Sequence, residues 1–295
     1  MFFGIPRNEF QSYAQIFSGI YLAIIPMFIE SIGSLGFSNK LLYIITLSFL
    51  YKKRALNEQN LILFIFFPSV YLYSSLALRD NIIFCFLLLS IYFFFEKKLL
   101  FTLLCLTIVT TSKYISGLLV LYFLILYFFI FYKKKFFKER LLFLIILNFF
   151  VIHFVVDDFL ISKINHHALG FFKENNLEGK YVLLSNLYQF YSQIPNRFFL
   201  GMIGFTSELN ILRQILFFEN LLVIILLIVF FVKFRNINKY KIIFWYIFIL
   251  SSEFLLTYLV YNQGTLSRYE YPLFFTFIFA LILENKKKNF YFKET

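Results

Sequence analysis

Five of the eight arginines, Arg7, Arg79, Arg197, Arg213 and Arg268, stand apart from the lysine clusters that punctuate the chain. Lysine serves wherever a point charge suffices, whereas arginine adds a planar, permanently charged fork that holds phosphate or carboxylate through two bonds. The five therefore suggest an anionic substrate on the face away from the lysines; the plainer reading is that they are ordinary loop arginines. Arg79 is the sharpest case. In FPSVYLYSSLALRD, residues Pro68, Tyr71, Ser75 and Arg79 recur at helical spacing and share one face. So polar a face turns toward a bundle interior, unless Arg79 and Asp80 simply pair at an interface. Glu253 lies in an apolar segment where Tyr246, Glu253, Thr257 and Tyr261 follow the same spacing. It is either a general base with a raised pKa or the ion-pair partner of Arg79 or Arg268.

The stretch from Asn262 to Pro272 gathers amides, hydroxyls, Arg268, Tyr269 and Glu270 in a short connection. Such a stretch is the edge of a polar-substrate site, with Tyr rings against sugar faces and Arg on phosphate, or else an interfacial aromatic belt around a Gly turn. Lys113, the one charge between Leu99 and Tyr132, either contacts a lipid phosphate or snorkels to the interface. His166-His167 and Asp157-Asp158 have metal-ligating side chains, but their spacing fits no familiar site, and no metal is expected. No phosphate-binding glycine loop, dinucleotide fingerprint, HExxH or GxSxG occurs, so ATP-driven transport and standard hydrolase chemistry have no support.

These residues must be positioned by apolar helices. The 295 residues are 61% hydrophobic and 15% charged, with 47 Phe; soluble domains run nearer 45–50% and about 25%. A chain of this composition belongs in lipid. Cys85 and Cys105 sit in apolar runs and imply neither a disulfide nor a metal site. Met1 to Arg7 lacks the pattern of a cleaved secretory signal.

Between Lys52-Lys53-Arg54 and Lys97-Lys98 lies twice the apolar length that one crossing of a core about 30 Å thick requires. Two spans fit there, 60–78 and 81–95, turning at Arg79-Asp80. The segment 99–132 is a second hairpin, turning at Ser112-Lys113-Tyr114. Further spans follow at 141–156, 215–232, 242–261 and 271–283, with a turn over 262–270 and one large non-cytoplasmic loop over 157–214. A first span at 37–51 brings the total to nine, and the first 36 residues decide whether there is a tenth, at 13–29. The expected fold is all-α, a polytopic transmembrane helix bundle of nine or ten spans forming a single membrane domain over 1–295.

The side rich in Lys and Arg is cytoplasmic by the positive-inside rule. By this topology the cytoplasmic segments carry 18 of the 28 basic residues and 5 of the 16 acids, and the C-terminus is cytoplasmic. The net charge of +12 thus reports orientation, and no nucleic-acid partner is expected.

Four segments resemble the Wzy/EpsG-type polymerases of bacterial surface polysaccharides. PRNEFQSYAQIF (Pro6 to Phe17) and FIESIGSLGF (Phe28 to Phe37) are similar to that family's early outer segments. SSLALRDNIIF (Ser74 to Phe84) resembles the outer end of its Arg-bearing span, and LSRYEYP (Leu266 to Pro272) its late Arg-aromatic step. The resemblance implies an enzyme of the bacterial inner membrane that transfers a growing glycan from undecaprenyl diphosphate to another lipid-linked repeat. It implies no cofactor, and as partners the lipid-linked glycan, the bilayer and a chain-length regulator protein. Arg79 and Arg268 would neutralise the diphosphate, and Glu253, Glu270 or Asp80 would deprotonate the acceptor hydroxyl. Arg197, Arg213, Lys113, Tyr269 and Tyr71 would complete the substrate contacts. Two other classes fit the composition: a polyprenyl-phosphate-sugar glycosyltransferase, and a lipid-glycan flippase or transporter.

Overall fold

The computed structural model describes residues 32–67, 80–131, 239–259 and 263–291, with residue 70 and scattered residues between 139 and 232. Among the described residues there are seven helices and no strand: α1 (Ile32–Lys52), α2 (Glu58–Phe66), α3 (Asp80–Phe95), α4 (Leu99–Ser112), α5 (Tyr114–Phe131), α6 (Lys239–Leu259) and α7 (Gln263–Tyr291). The all-α expectation therefore holds. Among the described residues no helix is long and apolar enough to cross a membrane.

The chain packs as two units: Met1–Tyr122 with Phe234–Trp245 and Tyr271–Thr295, and Phe123–Lys233 with Tyr246–Glu270. In the first, α1, α3 and α7 run in the same direction around an aromatic centre. Phe84 of α3 lies 5.7 Å from Tyr43 of α1, and Phe275 of α7 is 6.0 Å from Phe84. α2 runs back against them: Tyr43 Oη donates to the Phe64 carbonyl, and Phe64 lies 5.4 Å from Phe275 and 6.2 Å from Phe279. Rings bury large apolar area in few rotamers, and edge-to-face pairs add about 0.5–1.5 kcal/mol each.

Local chemistry sets the ends of these helices. The Asn57 side chain accepts from the Asn60 N–H at 2.8 Å and caps α2. Phe67, with φ −73° and ψ 128°, is extended, as the residue before a proline must be. Within the span expected over 60–78, α2 therefore ends at Phe66, a correction that Pro68 explains; beyond Phe67 only Val70 of that span is among the described residues, and it is helical. α3 and α4 form a tight pair across Glu96-Lys97-Lys98, where Lys97 takes a left-handed φ of 60°.

The turn expected at Ser112-Lys113-Tyr114 is present. Lys113 is extended, and beyond it Gly117 returns so close to α4 that a Cβ there would lie 2.7 Å from the Thr110 Cα and backbone N. The loop expected over 262–270 is instead the start of α7, and the span expected at 271–283 continues as helix from Gln263 to Tyr291. Helical hydrogen bonding absorbs the polar run, and Pro272 sits inside the helix, where Thr276 Oγ1 donates to its carbonyl at 2.6 Å.

In the second unit Phe123 packs edge-on to Phe248 at 5.0 Å. Arg140 lies over the Phe129 ring at 5.7 Å and donates to the Phe129 carbonyl at 3.2 Å.

Candidate functional site

One end of the first unit gathers buried polar groups from helices otherwise made of rings and aliphatics. Asn81 Nδ2 donates to the Asn39 carbonyl at 2.7 Å, joining the first turn of α3 to α1. Asn39, Asp80 and Asn81 are each no more than 1% exposed. Asp80 opens α3, where the partial positive charge of a helix N-terminus favours a carboxylate. One turn further along α3, Phe84 meets Tyr271 of α7 edge-on at 5.3 Å. Tyr271 is itself 3% exposed and Ser38, beside Asn39 on α1, also 3%.

This arrangement offers a carboxylate, two carboxamides and a phenol at one helix-cluster end. Asn81 Oδ1 is buried without a hydrogen-bond partner among the described residues. A buried carbonyl oxygen left unmatched costs about 1–3 kcal/mol, so Asn81 Oδ1 calls for a hydroxyl or amide donor. A carboxylate beside it can accept a proton.

Asp80 is thus placed in the cluster. Glu270 is also buried, at 8% exposure, in the second turn of α7. Lys113 is half-buried at the hinge between α4 and α5, and its backbone N–H donates to the Val109 carbonyl at 2.7 Å. The backbone carrying Glu253 is in α6, and that carrying Arg268 and Tyr269 is in α7; the placement of these three side chains lies outside the described residues. Tyr71, Arg79, Arg197 and Arg213 lie outside the described residues altogether.

Asn39 and Asn81 were absent from the sequence-based candidates, because uncharged amides attract no notice in a charge census. The available signal was their cost: an amide in an apolar segment needs a partner. A second feature hidden in the sequence lies in the region expected as one large loop. Asn165 binds the Leu184 backbone twice, donating from Nδ2 at 2.8 Å and accepting at Oδ1 at 2.9 Å. Beside it the Gln189 N–H donates to Asn186 Oδ1, and Gln189 Oε1 accepts from the Ser185 N–H, each at 2.9 Å. Those paired bonds are of the kind found at helix N-termini.

Comparison with known proteins gives no family model, no curated protein and no solved structure that matches the chain.

Proposed function

We propose that this protein is an integral membrane polymerase that joins undecaprenyl-diphosphate-linked glycan repeats at the outer face of a bacterial inner membrane. The observation carrying the reading is the 5.3 Å contact of Phe84 with Tyr271. It joins SSLALRDNIIF to LSRYEYP, two segments far apart in sequence that both resemble the polymerase family. The buried Asp80, Asn81 and Asn39 beside that contact supply acceptors and donors for sugar hydroxyls, and Asp80 is the proposed base. Arg79, next in sequence to Asp80, and Arg268, three residues before Tyr271, are the proposed diphosphate ligands.

Membrane insertion is part of the proposal, and the surface of α4 supports it. Leu99, Leu100, Phe101, Leu103 and Leu104 are all more than half exposed, whereas Thr102 and Ser112 are buried at 3% and 4%. An outward aliphatic run of this kind is what lipid selects, with the hydroxyls of Thr107 and Thr111 exposed beyond it. Its hydroxyls are also satisfied within the helix, as with Thr107 Oγ1 to the Leu103 carbonyl at 2.9 Å and Thr110 Oγ1 to the Leu106 carbonyl at 2.7 Å.

The test is the size ladder of surface polysaccharide. A deletion strain should display single repeats and lose long polymer. Complementation with Asp80→Asn should lower polymer output by about a hundredfold or more at normal protein level, the range for losing a general base. Arg79→Ala and Arg268→Ala should behave likewise, and Lys287→Ala should restore the ladder. An unchanged ladder in the deletion strain would refute the polymerase, and repeats accumulating on the cytoplasmic side would identify a flippase instead.

A further inference from the structure

At the other end of the first unit, away from Asn39 and Asn81, a cleft of about 770 Å³ is lined by Tyr51, Lys52, Arg54, Asn57, Glu58 and Lys286, among others. Three cations face one acid there. The carboxylate is already engaged, since Tyr51 Oη donates to Glu58 Oε1 at 3.5 Å. Lys286 Nζ donates to the Arg54 carbonyl, which ties α7 to the turn after α1. The cleft is therefore assembled from three stretches of chain: the end of α1, the capped start of α2 and the far part of α7.

Arg54 makes the arrangement unusual. It holds a left-handed φ of 55° two residues past the end of α1, and the Ala55 N–H closes the helix end on the Leu50 carbonyl at 2.8 Å. Glycine takes that conformation at less cost than any other residue. Here the position carries an arginine that lines the cleft. Asn57, Glu58 and Gln59 add the first turn of α2, whose unbonded N–H groups carry partial positive charge.

We propose that this cleft is a binding site for a phosphate group, distinct from the glycan-polymerising end, with Arg54, Lys52 and Lys286 as its ligands. A phosphomonoester headgroup of an anionic lipid and free phosphate share this chemistry. The lipid source rests on the membrane reading above; the phosphate chemistry does not. On that membrane reading the headgroup is the favoured source, because basic pockets at the cytoplasmic ends of membrane helices collect anionic headgroups. Lys286 itself fits the role. Burial holds its ammonium below the ordinary 10.5, with Arg54 lowering it further and Glu96 opposing. An anion between Lys286 and Arg54 relieves that strain on the charged form.

The experiment is calorimetric titration of the purified full chain in neutral detergent with dihexanoyl phosphatidic acid, dihexanoyl phosphatidylcholine and inorganic phosphate. Phosphatidic acid should bind, and Arg54→Gln and Lys286→Gln should each weaken it about fivefold, the effect of one cation at a membrane-surface anion site. Glu58→Gln should tighten binding by a similar factor, an outcome that misfolding does not imitate. Lys98→Gln, a charge change outside the cleft, should bind as the unmodified protein does. Saturation by inorganic phosphate as well would identify the phosphate alone as sufficient, and binding of phosphatidic acid only would make the ligand a lipid. Absence of binding by both, equal binding of phosphatidylcholine, or an equal loss in Lys98→Gln would overturn the site.

Discussion

Asn81 carries the cross-helix hydrogen bond to the Asn39 carbonyl and, at 0% exposure, has no water to replace it. Asn81→Ala removes that bond and leaves a small void, for an expected loss of about 1–2 kcal/mol. Thermal unfolding in detergent would measure it; a midpoint equal to that of the unmodified protein would show that the bond contributes nothing. Asn81→Asp should be worse than Asn81→Ala, because it places a second carboxylate directly after the buried Asp80. This residue also marks the limit of what the sequence discloses about the site. Asp80 was legible because an acid amid apolar residues is conspicuous. Asn39 and Asn81 were not, because only their meeting across two helices, 42 residues apart in sequence, makes either of them notable.

Helix ends were legible where the length of an apolar run demanded a break and missed where a single residue had to be weighed. The apolar run over 99–132 required a break, which Lys113 supplies, whereas the end of α2 at Phe66 went unread although Pro68 follows it directly after Phe67. The start of α7 went unread because Asn-Gln-Gly-Thr has the composition of a turn, although Asn262 is equally a residue type favoured before a helix. The α4–α5 hinge yields the sharpest prediction at this scale. A Cβ on Gly117 would meet Thr110 Oγ1 at 2.3 Å and the Thr110 Cα at 2.7 Å. Gly117→Ala should therefore cost about 1–3 kcal/mol by overpacking. Thr110→Ala should not rescue it, since the backbone clash survives loss of the hydroxyl. Full recovery in that double variant, read by the same unfolding assay, would mean that the helices part easily and the close approach is incidental.

The same-direction run of α1, α3 and α7 brings basic clusters from distant parts of the chain to one end of the first unit. Lys286 bonds the Arg54 carbonyl and is within the electrostatic reach of Glu96, while Lys241 pairs with the buried Glu284 at 2.6 Å. Charge patterning placed all of these on one side, and packing in the unit puts them together. The polar cluster of Asn39, Asp80 and Asn81 lies at the opposite ends of the same helices. If those ends face opposite sides of a membrane, residues along α4 must differ in accessibility. In a background with Cys85 and Cys105 replaced by alanine, Lys53→Cys and Lys98→Cys should react with a membrane-impermeant maleimide only after cells are permeabilised. Thr111→Cys, an exposed position near the far end of α4, should react in intact cells. The fourteen residues of α4 rise about 21 Å, less than a bilayer core of about 30 Å. Lys113 must then extend its ammonium to the outer headgroups and carry the α4–α5 hinge with it. Protection of Thr111→Cys in intact cells, with labelling restored on permeabilisation, would make the hairpin re-entrant from the cytoplasm. That result would remove Lys113 from the outer face and from the substrate contacts, while leaving the buried cluster around Asp80 untouched.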